Sequence, residues 1–150
     1  MLPQNMEHWP TGQGKLNYTH RVTVAAADID ANGHVNNVVY VRWAQEAALA
    51  HWQAAATAEL QAAIVWVVVS HGIEYKRPAL FGDALTVKTW VETSTTSTSE
   101  RHCRIVRERD GLLLARSRTV WCAVNPGNGK PRRLPAQVGE IFLLTTDGHR

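Results

Sequence analysis

The alternation of apolar and polar positions predicts one long helix near the start of the chain. A first strand is expected over residues 16–27, where β-branched residues alternate with polar ones. The helix is expected to begin at Asn36 or Asn37, either of which can cap it, and to run through Leu60. Its apolar residues recur at helical spacing, and so many are alanine that neighbouring strands can approach it closely.

The rest of the chain has strand-like patterns separated by short turns. These patterns cover residues 64–79, 84–94, 97–110 and 112–126. The turn "LFGD" at 80–83 and the pair Asp110-Gly111 favour tight reversals. A loop over 126–135 then precedes a short helix over 136–144. Short connections imply antiparallel pairing, so we predict an α+β architecture with one helix against one curved sheet.

Composition fits a single globular domain. The chain has 150 residues, 45% hydrophobic and 19% charged, which is enough for one core and too few for two ordinary domains. Residues 1–15 are rich in Pro, Gly, Asn and Gln and are expected to form a flexible N-terminal arm, with the single domain over 16–150.

The net charge of +3 is spread along the chain. Its densest group is the strand "RHCRIVRER", which indicates a solvated strand face rather than a nucleic-acid interface. A mildly basic surface also suits an anionic small molecule.

The cysteines and the longest apolar run indicate where the protein works. Cys103 and Cys122 have no metal-ligand or CxxC spacing and are expected to be buried free thiols in a reducing compartment. No secretory signal is recognisable at the N-terminus. The longest apolar run, "AAIVWVVV", is too short to span a bilayer. We therefore expect a cytoplasmic protein that does not contact membranes.

The stretch "DIDANGHVNNVV", residues 28–39, begins like a calcium-binding EF-hand loop. Such a loop needs a bidentate acid at its last position, which here is Val39. It also needs a helix before it, whereas the preceding residues predict a strand. What remains is a strand that ends in two acids, a glycine turn and the start of a helix.

The motif "DIDANGHVNNVVYVRW", followed by "YKRPALFGDALTV", resembles the hotdog-fold acyl-CoA thioesterases. The similarity runs from about Val22 to Pro135 and is greatest to the 4-hydroxybenzoyl-CoA thioesterase family; the "NGHVNN" variant is also similar to plant acyl-ACP thioesterases. The resemblance implies a hotdog fold, in which a five-stranded antiparallel sheet wraps one central helix.

The resemblance also implies roles for three positions of the motif. Asp30 matches the catalytic carboxylate of the family, acting as general base or as nucleophile. The backbone N–H of Asn37, in the first helical turn, matches the group that polarises the thioester carbonyl. Gly33 lets the backbone turn sharply between them. Some relatives have histidine where this chain has Asn37, so a histidine-assisted mechanism from that position is not expected.

Structural readings of the same residues stay open. Asp30 can form an Asx turn or cap the helix, and Asp28 can be an ordinary turn acid. His34 can line the substrate site or lie on the surface. Tyr40 and Trp43 are predicted core residues that also border the acyl pocket, which makes them candidate substrate contacts.

Three other histidines have no metal-ligand spacing and are expected at the surface or at a subunit interface. They are His51, His71 and His102.

The family implies an acyl-CoA thioesterase without cofactor or metal, assembled as a homodimer or homotetramer with its active site at the subunit boundary. Two alternatives remain: a non-catalytic acyl-CoA-binding module and a hotdog dehydratase. The CoA phosphates require a basic tunnel mouth, for which Arg77, Lys130 and Arg132 are candidates. Ordinary solvated loop charge is the alternative for each of these three residues.

Overall fold

A computed structural model describes residues 9–143 of the chain. The strands are β1 (Tyr18–Thr23), β2 (Val65–Tyr75), β3 (Ala84–Ser94), β4 (Thr98–Arg107) and β5 (Leu113–Val124). The helices are α1 (Asn37–Ala55), α2 (Ala58–Ala63) and α3 (Ala136–Phe142). The five strands form one antiparallel sheet in the order β1-β3-β4-β5-β2. The predicted α+β architecture is confirmed, with β1 and β2 at the open edges of the sheet.

Helix α1 covers the inner face of the sheet. The inward positions of β3 predicted from its alternation, Leu85, Val87, Thr89 and Val91, are all buried. The apolar core has two clusters. The first lies under the N-terminal half of α1 around Trp43, and the second lies around Trp52 near the far end of that helix.

The predicted long helix is interrupted before Leu60. Helix α1 ends at Ala55, and α2 begins at Ala58 after Thr57. The reason is local: the Leu60 N–H donates to Thr57 Oγ1 at 3.1 Å, so Thr57 caps a new helix. Hydroxyl residues favour such caps, because their side chains compete with the helical backbone for hydrogen bonds.

The second half of the predicted arm is packed on the sheet. Trp9 is 8% exposed, contacts the His102 ring edge-to-face and lies under the Arg116 guanidinium. Gly12 is also buried, and a Cβ there would come within 2.8 Å of the Trp90 ring. Residues 1–8 of the predicted arm lie outside the described residues.

Two of the three histidines expected at the surface are buried in the fold. His51, a residue of α1, is 4% exposed, and His102, which packs against Trp9, is 3% exposed. The expectation of a surface or subunit-interface position was wrong for both, because it rested only on the lack of metal-ligand spacing, which does not reveal burial against distant strands. His71, on edge strand β2, is exposed. Cys103 is a buried free thiol as predicted, while Cys122 is half-buried and also free.

Candidate active site

The acids of the motif lie in a closed turn between β1 and α1. An isolated antiparallel bridge joins Ile29 to Val35 and closes the turn at its base. Inside it, the Asp30 N–H donates to the His34 carbonyl at 2.8 Å, and the Gly33 N–H donates to the Asp30 carbonyl at 3.1 Å. Gly33 has φ +81°, a conformation that side-chain-bearing residues rarely adopt. The structure therefore supports the predicted backbone role of Gly33.

The Asp30 carboxylate is half-buried and forms an Asx turn. Its Oδ1 accepts from the Asn32 N–H at 2.8 Å and from the His34 N–H at 3.4 Å. Its Oδ2 has no hydrogen-bond partner within residues 9–143. The Asx reading is thus correct for one oxygen, and the other oxygen is left available to a water molecule or a substrate.

Asp28 has a different environment from Asp30. It is 5% exposed, accepts from the Ala25 N–H at 2.9 Å and pairs with the Arg42 guanidinium at 2.9 Å. Burial acts to raise the pKa of Asp28, but these hydrogen bonds outweigh it and hold the pKa below the usual value. The Asp28 carbonyl also accepts from the Asn36 N–H at 2.9 Å. Asp28 therefore ties the turn to α1 and has no free oxygen for chemistry.

The start of α1 presents an unused donor beside this turn. Asn36 caps the helix, accepting from the Val38 N–H at 3.1 Å through its side chain and from the Val39 N–H at 2.9 Å through its carbonyl. The Asn37 N–H has no acceptor in the described part of the chain, while the Asn37 carbonyl accepts from Tyr75 Oη–H at 3.0 Å. An unsatisfied N–H at the positive end of a helix is suited to an oxyanion.

The other predicted contacts are placed as follows. His34 is exposed, and only its backbone contacts Asp30. Tyr40 is 3% exposed; its hydroxyl accepts from the Ala79 N–H at 2.8 Å, and its ring packs edge-to-face on Trp43. Tyr40 and Trp43 are thus core residues beneath the helix start, and their contact with a substrate stays a prediction.

The basic candidates lie at opposite ends of the sheet. Arg77 lies just after the C-terminal end of β2. At this end Tyr75 pairs with Ala115, and the Tyr75 hydroxyl contacts Asn37. Arg132 lies near the other end of β2 and donates to the Ala63 carbonyl at 2.9 Å, and Lys130 lies in the same loop. The length of β2 separates the two groups, on the order of 30 Å. One chain therefore does not bring Arg77 and Arg132 to a single tunnel mouth.

An apolar pocket of about 480 Å³ lies along the second half of α1. Its walls come from α1, from the inner faces of β2 to β5, and from α3; they include Leu49, Trp52, Trp66, Val68, Trp121 and Phe142. None of the predicted site residues lines it. Two polar residues of β4, Ser99 and Arg101, are part of its lining. The sequence carried a signal for this pocket, since both occupy inward positions of an otherwise apolar alternation.

Within residues 9–143, no group of three or more His, Cys, Asp or Glu side chains could hold a metal ion. In the same range, none of the helices combines the length and apolarity that crossing a membrane requires.

A curated plant protein is similar over nearly the whole chain. The palmitoyl-acyl carrier protein thioesterase of Gossypium hirsutum chloroplasts is 26% identical over 155 residues, covering 92% of this chain. The chain spans only 38% of that protein's length.

Solved structures share the fold at lower identity. A 1,4-dihydroxy-2-naphthoyl-CoA thioesterase from Synechocystis superposes with a TM-score of 0.73 at 21% identity, covering 83% of this chain and 95% of its own. YbaW, a probable thioesterase from Escherichia coli, gives 0.74 at 22% identity, covering 82% and 94%. These neighbours show that the sheet and helix form a hotdog fold.

The sequence model of one family matches most of the domain. The match runs over residues 24–142, from the end of β1 to the last residue of α3, and includes the whole Asp30–Asn37 turn. On this evidence the chain belongs to the thioesterase-like superfamily.

Proposed function

We propose that the protein hydrolyses acyl thioesters, with acyl-CoA as the substrate class. The observation that carries the proposal is the pairing of two unused groups across one closed turn: Oδ2 of Asp30 and the N–H of Asn37. In the reaction, water adds to the thioester carbonyl, the C–S bond breaks, and a carboxylate and a thiol are released. A thiolate is a good leaving group, so the site needs a base and an oxyanion donor but no strong general acid.

Asp30 supplies the base. In one route its free oxygen takes a proton from the attacking water. In the other it attacks the carbonyl itself and forms an anhydride that water then opens. Both routes place Oδ2 towards the substrate while Oδ1 remains held by the Asn32 N–H. The turn thereby fixes the orientation of the carboxylate and leaves Oδ2 free to react.

The start of α1 stabilises the negative charge that develops on the carbonyl oxygen. The Asn37 N–H is a fixed donor at the positive end of a helix of 19 residues. Donors oriented before the reaction stabilise a transition state without reorganisation cost. The apolar pocket along the second half of α1 is the proposed acyl site, since its lining is mostly aliphatic and aromatic.

We further propose that two copies assemble through β2. Exposed apolar side chains are concentrated on this edge strand, including Val65 at 45%, Val67 at 47% and Val69 at 62%. Open edges with apolar side chains favour pairing with another strand. The pocket is lined by Trp66 and Val68 of the same strand, so a second copy on this edge would also border the pocket.

Hydrolysis is tested with a panel of short, medium, long and aromatic acyl-CoAs, read with a thiol reagent without added metal. We expect release of CoA from at least one of them. The Asp30→Asn variant keeps an acceptor oxygen for the Asx turn, so it should bind acyl-CoA but lose turnover by two orders of magnitude or more. Tight binding of acyl-CoA with no turnover by the wild type would instead indicate a non-catalytic binding module.

The same preparation tests the dehydratase alternative. A dehydratase needs a histidine beside its carboxylate, but the His34 side chain makes no hydrogen bond to Asp30; only its backbone does. Incubation with a 3-hydroxyacyl-CoA should therefore yield free CoA and no enoyl product. Enoyl-CoA formation that depends on His34 would contradict the proposal.

A further inference from the structure

A row of polar side chains crosses the inner face of the sheet. Arg101 on β4, Thr119 on β5 and His71 on β2 lie side by side, with Thr119 opposite both Arg101 and His71 in register. Thr89 on β3 is opposite Cys103 and joins the row through a hydrogen bond from Arg101. His51 of α1 contacts the row through Arg101. Thr89, Arg101 and Thr119 of this row are buried. Buried polar groups are costly, because each must find a partner to replace its lost hydration.

Arg101 is the charged member of this row and has no acidic partner among residues 9–143. It is 9% exposed, and its Nη1 donates to His51 Nδ1 at 2.9 Å and to Thr89 Oγ1 at 3.1 Å. Both acceptors are neutral: burial, with the nearby Arg101 charge, lowers the pKa of His51 to about 4. Nε and Nη2 of Arg101 have no protein acceptor in this part of the chain.

A second buried arginine on the same strand shows how the fold normally pairs such a group. Arg107 is 8% exposed and is held by Asp110 at 2.9 Å and by Asp83 at 3.4 Å. Arginine does not escape the cost of burial by losing its proton: burial lowers the pKa of Arg101 only to about 10, so it is charged at neutral pH. An uncompensated buried charge is strongly unfavourable. Arg101 is therefore a buried cation without an anionic partner among residues 9–143.

The place of Arg101 indicates where such an anion would come from. Arg101 and Ser99 are polar positions in a pocket of about 480 Å³ whose other walls are largely apolar. A ligand that fills it must have an apolar body and one anionic end. Arg101 is bonded to His51, which lies about 20 Å along α1 from Asn37. A carboxylate at Arg101 is therefore remote from the thioester carbonyl that the helix start would bind.

We propose that this pocket is a receptor for a carboxylate carried at the end of an apolar chain, with the guanidinium of Arg101 as its counter-ion. The preferred source of this carboxylate is an ω-carboxyacyl thioester bound with its far end in the pocket, and that choice rests on the proposed function. Planar guanidinium groups match carboxylates through paired hydrogen bonds, and Nε and Nη2 form such a pair. The other source of the same chemistry is a free fatty acid.

The first arm of the test compares turnover of matched thioesters. Wild-type protein is assayed with ω-carboxyacyl-CoA and with plain acyl-CoA of equal chain length. We expect kcat/KM to favour the ω-carboxy substrate by about tenfold or more. Arg101→Met should abolish that preference, read as the ratio of the two kcat/KM values within the same protein, while Arg101→Lys should keep part of it. Equal kcat/KM for the pair in both wild type and Arg101→Met would overturn the substrate assignment.

The second arm does not depend on hydrolysis. Calorimetry measures binding of a dicarboxylate, a fatty acid and the matched fatty alcohol to wild type and to Arg101→Met. Binding of the acids, weak binding of the alcohol, and loss of acid binding in the variant support the receptor even if no thioester is hydrolysed. Acid binding lost while thioester preference is unchanged would assign the carboxylate to a free fatty acid. Acid binding that is unaffected by the substitution would overturn the proposal.

The third arm tests whether a protein carboxylate already pairs with Arg101, from a second copy or from residues beyond 143. Without ligand, Arg101→Met should have an unchanged or higher melting temperature, because it removes an uncompensated charge. Arg107→Met is the matched control and should lower the melting temperature, since it leaves Asp83 and Asp110 without their partner. A comparable loss in both variants would show that Arg101 is a paired structural residue and would overturn the proposal.

Discussion

At the scale of single residues, two acids separated by one position have opposite environments. Both oxygens of Asp28 are engaged, by Ala25 and Arg42, whereas one oxygen of Asp30 is unengaged within the described chain. The difference comes from the backbone: Asp28 ends a short 3-10 turn that directs it inward, and Asp30 begins the Asx turn that follows. The same residue type therefore stabilises the loop at one position and is available for chemistry at the other.

This difference predicts a pH-dependent stability for Asp28→Asn. The pKa of Asp28 is lowered on folding, so its contribution is full above the unfolded value near 3.8 and is lost as pH falls through the folded value. At pH 7 the variant should lose about 1–3 kcal/mol of unfolding free energy, the range for hydrogen bonds to charged groups. Urea titrations should show the difference at pH 7 and a smaller one near pH 3. A constant difference across that range would contradict the charge-based account.

At the scale of secondary-structure elements, the strand pattern was predictable and the break in the long helix was not. The alternation of β3 predicts its bounds and its buried face because each inward position packs on α1. The Asp110-Gly111 pair likewise predicts a turn, and Gly111 has φ +71° there. The break at Thr57 was missed because the residues around it are good helix formers. A single capping hydrogen bond causes that break, and the spacing of apolar residues does not reveal it.

That capping bond can be measured directly. Thr57→Ala should destabilise the protein by about 1 kcal/mol, because the Leu60 N–H loses its acceptor at the start of α2. Thr57→Ser retains the hydroxyl and should remain close to wild type. Chemical denaturation of the three proteins gives the comparison. Equal stability of the alanine and serine variants would show that packing of Leu60, rather than the cap, starts the second helix.

The candidate site was predictable only where it is local in sequence. Asp30, Gly33 and Asn37 lie within one turn, so a motif contains them all. The pocket collects side chains from α1, α3 and four strands, and its polar member Arg101 is 50 positions from its partner His51. Such a neighbourhood depends on strand order and register, which short-range patterns do not encode. The buried histidines were misplaced for the same reason.

At the scale of the whole molecule, the ends of the sheet separate the two groups of basic residues. Arg77 is two residues after Tyr75, whose hydroxyl donates to the Asn37 carbonyl, while Arg132 is at the far end of β2 and donates to the Ala63 carbonyl. Arg77→Ala should therefore raise KM for acyl-CoA several-fold and leave kcat nearly unchanged, the sign of lost uniform binding. The effect should vanish for acyl-pantetheine, which lacks the nucleotide phosphates. Arg132→Ala is the comparison, and a selective KM effect from Arg132 alone would relocate the phosphate site to the other end.

At the level of assembly, the proposed acyl pocket reaches an edge of the sheet that one chain leaves open. One chain has β2 as an open edge with exposed valines, and Trp66 and Val68 of this strand line the pocket. If a second copy pairs along β2, the pocket is closed by both chains, and dissociation should remove activity without unfolding either one.

Lysine on an edge strand is a common way in which natural proteins prevent strand pairing, so Val67→Lys with Val69→Lys should give a folded monomer. Light scattering and turnover at the same protein concentration test this directly, with Val67→Thr and Val69→Thr as a matched control that retains β-branching without charge. We expect the lysine variant to be monomeric and to have at least tenfold lower kcat/KM than the threonine control, because its pocket is open to water. A fully active monomer, in either variant or in the wild type, would show that one chain is sufficient for catalysis.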